Sequence, residues 1–177
     1  MQLPVEKLRP FEGHPFQVKD DAEMDQLVFS ILTQGLLTPI SVRPIKNGEY
    51  EVISGHRRLH ACKKAGIESV PALIYSLDRD AAAIALVDSN IYREHILPSE
   101  KAFAYKLKMD ALSRQGQRTD LTSRQVVGKL ETADLIADNE SGRQVQRYIR
   151  LTELIPEILK MVMTEKLRSP LRWNFPI

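Results

Sequence analysis

Residues 51–66 read EVISGHRRLHACKKAG. An apolar strand end, Val52-Ile53, runs into Ser54-Gly55, and a helical segment carrying His56, Arg57 and Arg58 follows at once. Gly66 then supplies a helix stop. Upstream, PISVRPI (39–45) and EYEVIS (49–54) are β-rich runs joined by Lys46-Asn47-Gly48, a tight-turn signal. Downstream, SVPALIYSL (69–77) is another strand. The stretch therefore sits inside alternating strands and helices. Its paired arginines are poor core material at the point where a strand becomes a helix.

That point suits an anion. A helix N-terminus exposes unpaired N–H groups and the positive end of the dipole. Gly55 has no Cβ and allows close backbone approach, and Arg57 and Arg58 offer planar donors for phosphate oxygens. The alternative is that the arginines pair with surface carboxylates. A second turn, TQGLLTPI (33–40), places Gly35 at a helix end before a strand, either as a plain C-cap or as a backbone anion contact. In DSNIYREHILPSE (88–100), Asn90 and Arg93 stand three apart among acidic residues. Oxygen ligands of this kind suit Mg²⁺ beside phosphates; a helix C-cap at Asn90 is the alternative.

The remaining segments fill out an α+β unit over residues 1–97. Residues 3–20 are broken by Pro4, Pro10, Gly13 and Pro15 and read as a short strand and a loop. Met24, Leu27, Val28 and Ile31 recur at helical spacing up to Gly35. Residues 79–90 read as a helix. Pro98 opens a longer helix at the first-turn position that tolerates proline.

SRQGQRTDLTS (113–123) is polar and reads as a junction. Beyond it there is no strand signal. Residues 98–168 are expected to form a helical unit, and 169–177, with two prolines, a tail. Within that unit, ETADLIAD, NESG and RQVQRYIRLTEL have the layout of a helix-turn-helix. Ser141 is placed as an N-cap with Gln144 three residues on, a capping box. Val145, Tyr148, Ile149 and Thr152 share one face, and Arg143, Gln146, Arg147 and Arg150 the other. Such a face grips phosphates and reads base edges, unless it is simply a solvated cationic face.

Bulk properties set bounds. With 43% hydrophobic and 27% charged residues, the chain has an ordinary globular composition. The net charge of +2 does not by itself argue for a polyanion partner. It divides unevenly: residues 1–110 hold 14 basic against 15 acidic residues, and 111–177 hold 11 against 8. No apolar run approaches the roughly 18–20 residues of a membrane span, and MQLPVEKLRP carries no apolar h-region. The single cysteine, Cys62, excludes an intrachain disulfide and a cysteine-built zinc cluster. A cytoplasmic location is the expectation.

These pieces in this order resemble the ParB family of chromosome and plasmid partition proteins. The likeness runs over residues 2–168, through boxes at 14–44 (HPFQVKDDAEMDQLVFSILTQGLLTPISVRP), 50–74 (YEVISGHRRLHACKKAGIESVPALI) and 88–108 (DSNIYREHILPSEKAFAYKLK), then the helix-turn-helix. The resemblance implies a sulfiredoxin-like N-terminal domain that binds CTP with Mg²⁺. It assigns Gly35, Leu36, Leu37, Thr38 and Pro39 to a phosphate-facing loop, Gly55, His56, Arg57 and Arg58 to the triphosphate cradle, Asn90 to the metal, Arg93 to the same motif and Gln17 to the neighbourhood of the nucleotide. Ser141, Arg143, Gln144, Gln146, Arg147 and Arg150 become the DNA-binding set.

The implied protein is a homodimer on centromere-like double-stranded DNA, associated with nucleoid or plasmid, with a nucleotide-driven clamp and a partition ATPase as partner. Family members usually carry a C-terminal dimerisation domain after the DNA-binding helices, where only a short tail follows here. His56 and Ser89 stand where the family usually has glutamates, so nucleotide binding is expected ahead of efficient CTP hydrolysis. Two other readings remain: a ParB-like nuclease, which needs a carboxylate or histidine cluster around metal, and a DNA-binding regulator without a nucleotide switch. Sulfiredoxin chemistry is disfavoured because Gly55 occupies the position of its nucleophilic cysteine.

Overall fold

The computed structural model describes residues 1–93, 96–119, 136 and 141–153. The elements are β1 (Gln2–Pro4), β2 (Leu8–Arg9), α1 (Ala22–Gln34), β3 (Ile40–Pro44), β4 (Tyr50–Ser54), α2 (His56–Lys64), β5 (Ser69–Ile74), α3 (Arg79–Asp88), α4 (Pro98–Thr119) and α5 (Gly142–Leu151). The five strands form one mixed sheet in the order β1-β5-β3-β4-β2. β3 is antiparallel to β4 and parallel to β5, while β1 closes one edge antiparallel to β5 and β2 the other parallel to β4. The class is α+β.

Local chemistry explains the helix starts. Asp21 caps α1 by accepting from the Met24 N–H at 2.9 Å, and Asp78 caps α3 by accepting from Ala81 at 2.8 Å. Between β3 and β4, Asn47 takes a left-handed conformation with φ 64° in the tight connection.

β4 is covered on both faces. Its side chains alternate, so buried Val52 joins Met24 and Ile31 of α1 and Leu59 and Cys62 of α2. Buried Ile53 instead joins Phe11 and Phe16 with Ala82, Ala83 and Leu86 of α3 and Ala104 and Ala111 of α4. Glu51 is also buried and bonds Arg43 at 2.7 Å, while its other oxygen accepts from the Glu12 N–H at 3.2 Å. That carboxylate pins the 10–17 loop onto the sheet. A third cluster packs Tyr105 of α4 against Val145 of α5 and Ile136, flanked by Tyr148 and Ile149.

Part of the expected junction at 113–123 is helical: residues 113–119 continue α4 to Thr119, and 120–123 lie outside the described residues. A glycine inside a helix costs only about 1 kcal/mol relative to alanine. Packing of α4 on α3 outweighs it, and Arg114 bonds the buried carboxylate of Asp80 on α3 at 2.8 Å.

Candidate anion site and nucleic-acid face

The antiparallel register sets Ser41 of β3 opposite Ser54 of β4. The residues before β3 and after β4 therefore meet at one end of the sheet, bringing the 35–39 loop to the amino end of α2. Gly55 is the N-cap of α2, with φ 102° and ψ 25°, and no side chain caps this helix. The first-turn N–H groups of His56, Arg57 and Arg58 thus keep no side-chain acceptor, unlike those of α1 and α3. That is the local chemistry an anion needs.

Arg58 builds the wall. Its Nη1 donates to the carbonyls of Thr38 at 2.7 Å and Pro39 at 2.8 Å. Its guanidinium lies over Gly55, where a Cβ would come within 3.2 Å of Nη2. Burial pushes the Arg58 pKa down. Gly35, with φ 75° and ψ 180°, adopts a backbone that is essentially restricted to glycine instead of the usual left-handed cap. It turns the chain towards this wall, leaving Leu37 and Thr38 exposed and Leu36 and Pro39 half-buried.

Arg57 follows the alternative reading in part. It reaches back to the start of α1, with Asp21 at 3.4 Å and Glu23 at 3.2 Å. The first is partly buried and long and the second exposed, so both are weak. Arg93 has no such ion pair among the described residues. Burial lowers its pKa, and the nearby positive charges of Arg57 and Arg58 lower it further against the opposing pull of Glu100. Arg93, in the segment after α3, therefore lies within electrostatic reach of Arg57 and Arg58 on α2.

Two neutral imidazoles lie within the same reach of Arg93. The rings of His14 and His56 lie against each other, tilted by 38°, with centroids 3.7 Å apart. The Nε2 of His56 accepts from the Phe11 N–H at 3.4 Å, a bond that protonation would abolish. Burial, then His14 and Arg93, push the His56 pKa down to about 3. Burial lowers that of His14 as well, and its Nε2 is buried with no hydrogen-bond partner among the described residues.

Gln17 is held through its backbone. Its N–H donates at 2.8 Å to Oε1 of Glu100, whose Oε2 accepts from Leu97 at 3.1 Å.

The described residues after α3 do not assemble a metal cage. The side-chain amide of buried Asn90 donates to the Leu86 carbonyl at 2.7 Å, closing the end of α3, and Ser89 donates to the same carbonyl at 2.9 Å. Asp88 pairs with Lys108 at 2.6 Å. No group of three histidine, cysteine or carboxylate ligands occurs among the described residues. Among the described residues this set offers no unpaired carboxylate to Mg²⁺, an ion ordinarily held by one or two carboxylates besides phosphate.

On α5, Ser141 accepts from the Gln144 N–H at 3.3 Å, forming one arm of the expected capping box. Val145 is fully buried, and Tyr148 and Ile149 pack beside it towards α4. Arg143, Gln144, Arg147 and Arg150 are exposed, and Gln146 is half-buried. The expected first helix of the helix-turn-helix, 131–138, lies outside the described residues except for Ile136, which is helical and buried.

Cys62 is fully buried, and that burial raises its pKa, which makes it a core thiol. His60 is bonded to Asp20 at 3.0 Å. The sequence reading left two members of the region unassigned. His14 lies in an irregular loop and carries no motif of its own. Glu100 is one of several acids in the segment after Asn90, and its position three residues after Leu97 is the one local hint of a capping role.

Comparison with known proteins supports the same frame. The sequence profile of the ParB N-terminal domain matches residues 1–91. A nucleoid occlusion protein of Bacillus cereus is 41% identical over 106 residues, which is 59% of this chain and 36% of that protein. A nucleoid occlusion protein of Geobacillus is 37% identical over 105 residues, 59% of this chain and 37% of that protein. The chain therefore spans little more than a third of these relatives. Among solved structures, a C-terminally truncated Caulobacter crescentus chromosome-partitioning protein ParB complexed to the centromeric parS site matches with a TM-score of 0.57 and 25% identity, over 94% of this chain and 79% of that one. By its N-terminal domain, the chain belongs to the ParB family.

Proposed function

We propose that the chain binds a nucleoside triphosphate, CTP by family resemblance, at the amino end of α2 and double-stranded DNA through α5, as a partition or nucleoid occlusion protein of ParB type. The observation that carries the first half is a helix N-terminus that no side chain caps, walled by Arg58 over Gly55, with Arg57 on the same turn and Arg93 within electrostatic reach. The exposed Arg143, Gln144, Arg147 and Arg150 on a helix anchored by Val145 support the second, together with the likeness to a ParB complexed to parS. In this reading the Thr38–Pro39 loop and Gly55 shape the phosphate pocket, and Gln17 borders the nucleotide. Any Mg²⁺ arrives on the triphosphate and is held there by its phosphates, with no carboxylate cluster from the described residues.

The chain acts as a homodimer that clamps DNA, associated with nucleoid or plasmid in the cytoplasm, and a partition ATPase is the partner where the role is partition. Hydrolysis is weak. A carboxylate that would orient a water is missing at position 56, and the imidazole there lies against His14.

Calorimetric titration with CTP, ATP and GTP tests the nucleotide. Selective CTP binding is expected, reduced about 10–100-fold in Arg57→Ala, as for loss of a charged hydrogen bond. Failure of all three nucleotides to bind, with DNA binding intact, leaves a DNA-binding module without a switch.

A further inference from the structure

We infer that Glu100 is a positioning residue that transmits occupancy of the arginine site to α4, the helix that carries α5. The inference rests on the nucleotide reading above. The carboxylate is buried and bridges two segments 83 residues apart in sequence, with Oε1 on the N–H of Gln17 and Oε2 on the N–H of Leu97. Leu97 immediately precedes α4, and Glu100 is its third residue. The side chain thus caps the helix it belongs to and, through its second oxygen, holds the Gln17 loop against it.

The same carboxylate lies within electrostatic reach of Arg93 and His14, and Arg93 in turn senses Arg57 and Arg58. A polyphosphate entering between the arginines takes over the charge of Arg93 and brings negative charge towards Glu100. Both effects oppose a buried carboxylate. They weaken the two backbone hydrogen bonds together, because one group accepts both. The first turn of α4 is thereby released from the Gln17 loop. α4 packs along α5 through Tyr105, Val145 and Tyr148, so a change at its amino end is delivered to the cationic helix. The two arrangements differ in their affinity for the anion, which is what a ligand-driven shift requires.

The experiment is backbone amide hydrogen exchange on the full chain, with and without saturating CTP, in the wild type and in Glu100→Gln. Glutamine retains one acceptor oxygen and removes the charge. In the wild type, CTP is expected to speed exchange at Gln17, Leu97 and the first turn of α4 together, by about tenfold. In Glu100→Gln, CTP measured by calorimetry binds at least as tightly as in the wild type, because a charge that opposes the polyphosphate is gone, and the α4 response to CTP disappears. An α4 response of wild-type size in the variant overturns the inference. So does a wild type that binds CTP with no change at Leu97 and α4. A wild type that binds no CTP removes the nucleotide reading, and the inference with it. If Glu100→Gln does not fold, Glu100→Asp, which reaches only one of the two amides, is read in the same way.

Discussion

The imidazole of His56 lies against that of His14, with centroids 3.7 Å apart, and the only acceptor nitrogen it shows is committed to the N–H of Phe11. Protonating His56 would place an N–H against an N–H and a buried charge beside Arg93. This gives an acid-stability prediction. The folded pKa of about 3 lies below the ordinary 6.5. As pH falls below 6.5 the unfolded chain takes up the proton first. Stability is complete above that value and lost on the way down to about 3, at about 1.4 kcal/mol per pH unit from this group. Denaturant titrations at several pH values should show that slope flattened in His56→Gln, whose side-chain oxygen still accepts from Phe11. An unchanged slope would exclude His56 as the titrating group.

Gly55 is predicted to be intolerant of a side chain. At φ 102° an added Cβ is strained, and it meets the Arg58 guanidinium at 3.2 Å. Gly55→Ala should cost about 1–3 kcal/mol of stability. It should also weaken nucleotide binding, because displaced Arg58 releases the Thr38 and Pro39 carbonyls. Thermal melting and calorimetry read the two effects separately. A variant with wild-type melting and wild-type CTP affinity contradicts this geometry.

Nucleotide binding should be nearly indifferent to chelation. Asn90 uses its amide on Leu86, and Asp88 is paired with Lys108. Titrating CTP in EDTA and in Mg²⁺ should give affinities within about threefold. A loss of affinity in EDTA well beyond that would show that the protein itself supplies metal ligands.

On α5, alanine at Arg147 or Arg150 should lower DNA affinity for all sequences alike. It should also reduce the slope of log K against log salt by about one for each phosphate contact removed. Anisotropy titrations of a parS duplex and a scrambled duplex at several salt concentrations separate this from base reading. If Arg143, Arg147 and Arg150 are all dispensable, α5 is not the DNA-binding helix.

The sequence alone determined what local physics writes. The period of Met24, Leu27, Val28 and Ile31 marks α1, the tight turn at 46–48 marks the hairpin, and Gly55 before two arginines marks an anion-prone helix start. Backbone preferences and hydrophobic periodicity act over a few residues, so a linear reading recovers them. The same locality placed a junction over 113–123, of which 113–119 instead belong to α4. The side of α4 that packs on α3 kept the helix going.

Only the tertiary structure decided the partners. The Arg58 bond to Pro39 spans 19 residues, the Phe11 bond to His56 spans 45, and the Gln17 bond to Glu100 spans 83. No periodicity encodes such pairs. They exist because the sheet order places the ends of β3 and β4 together and because packing brings distant segments into contact, with full burial only at the Phe11–His56 bond.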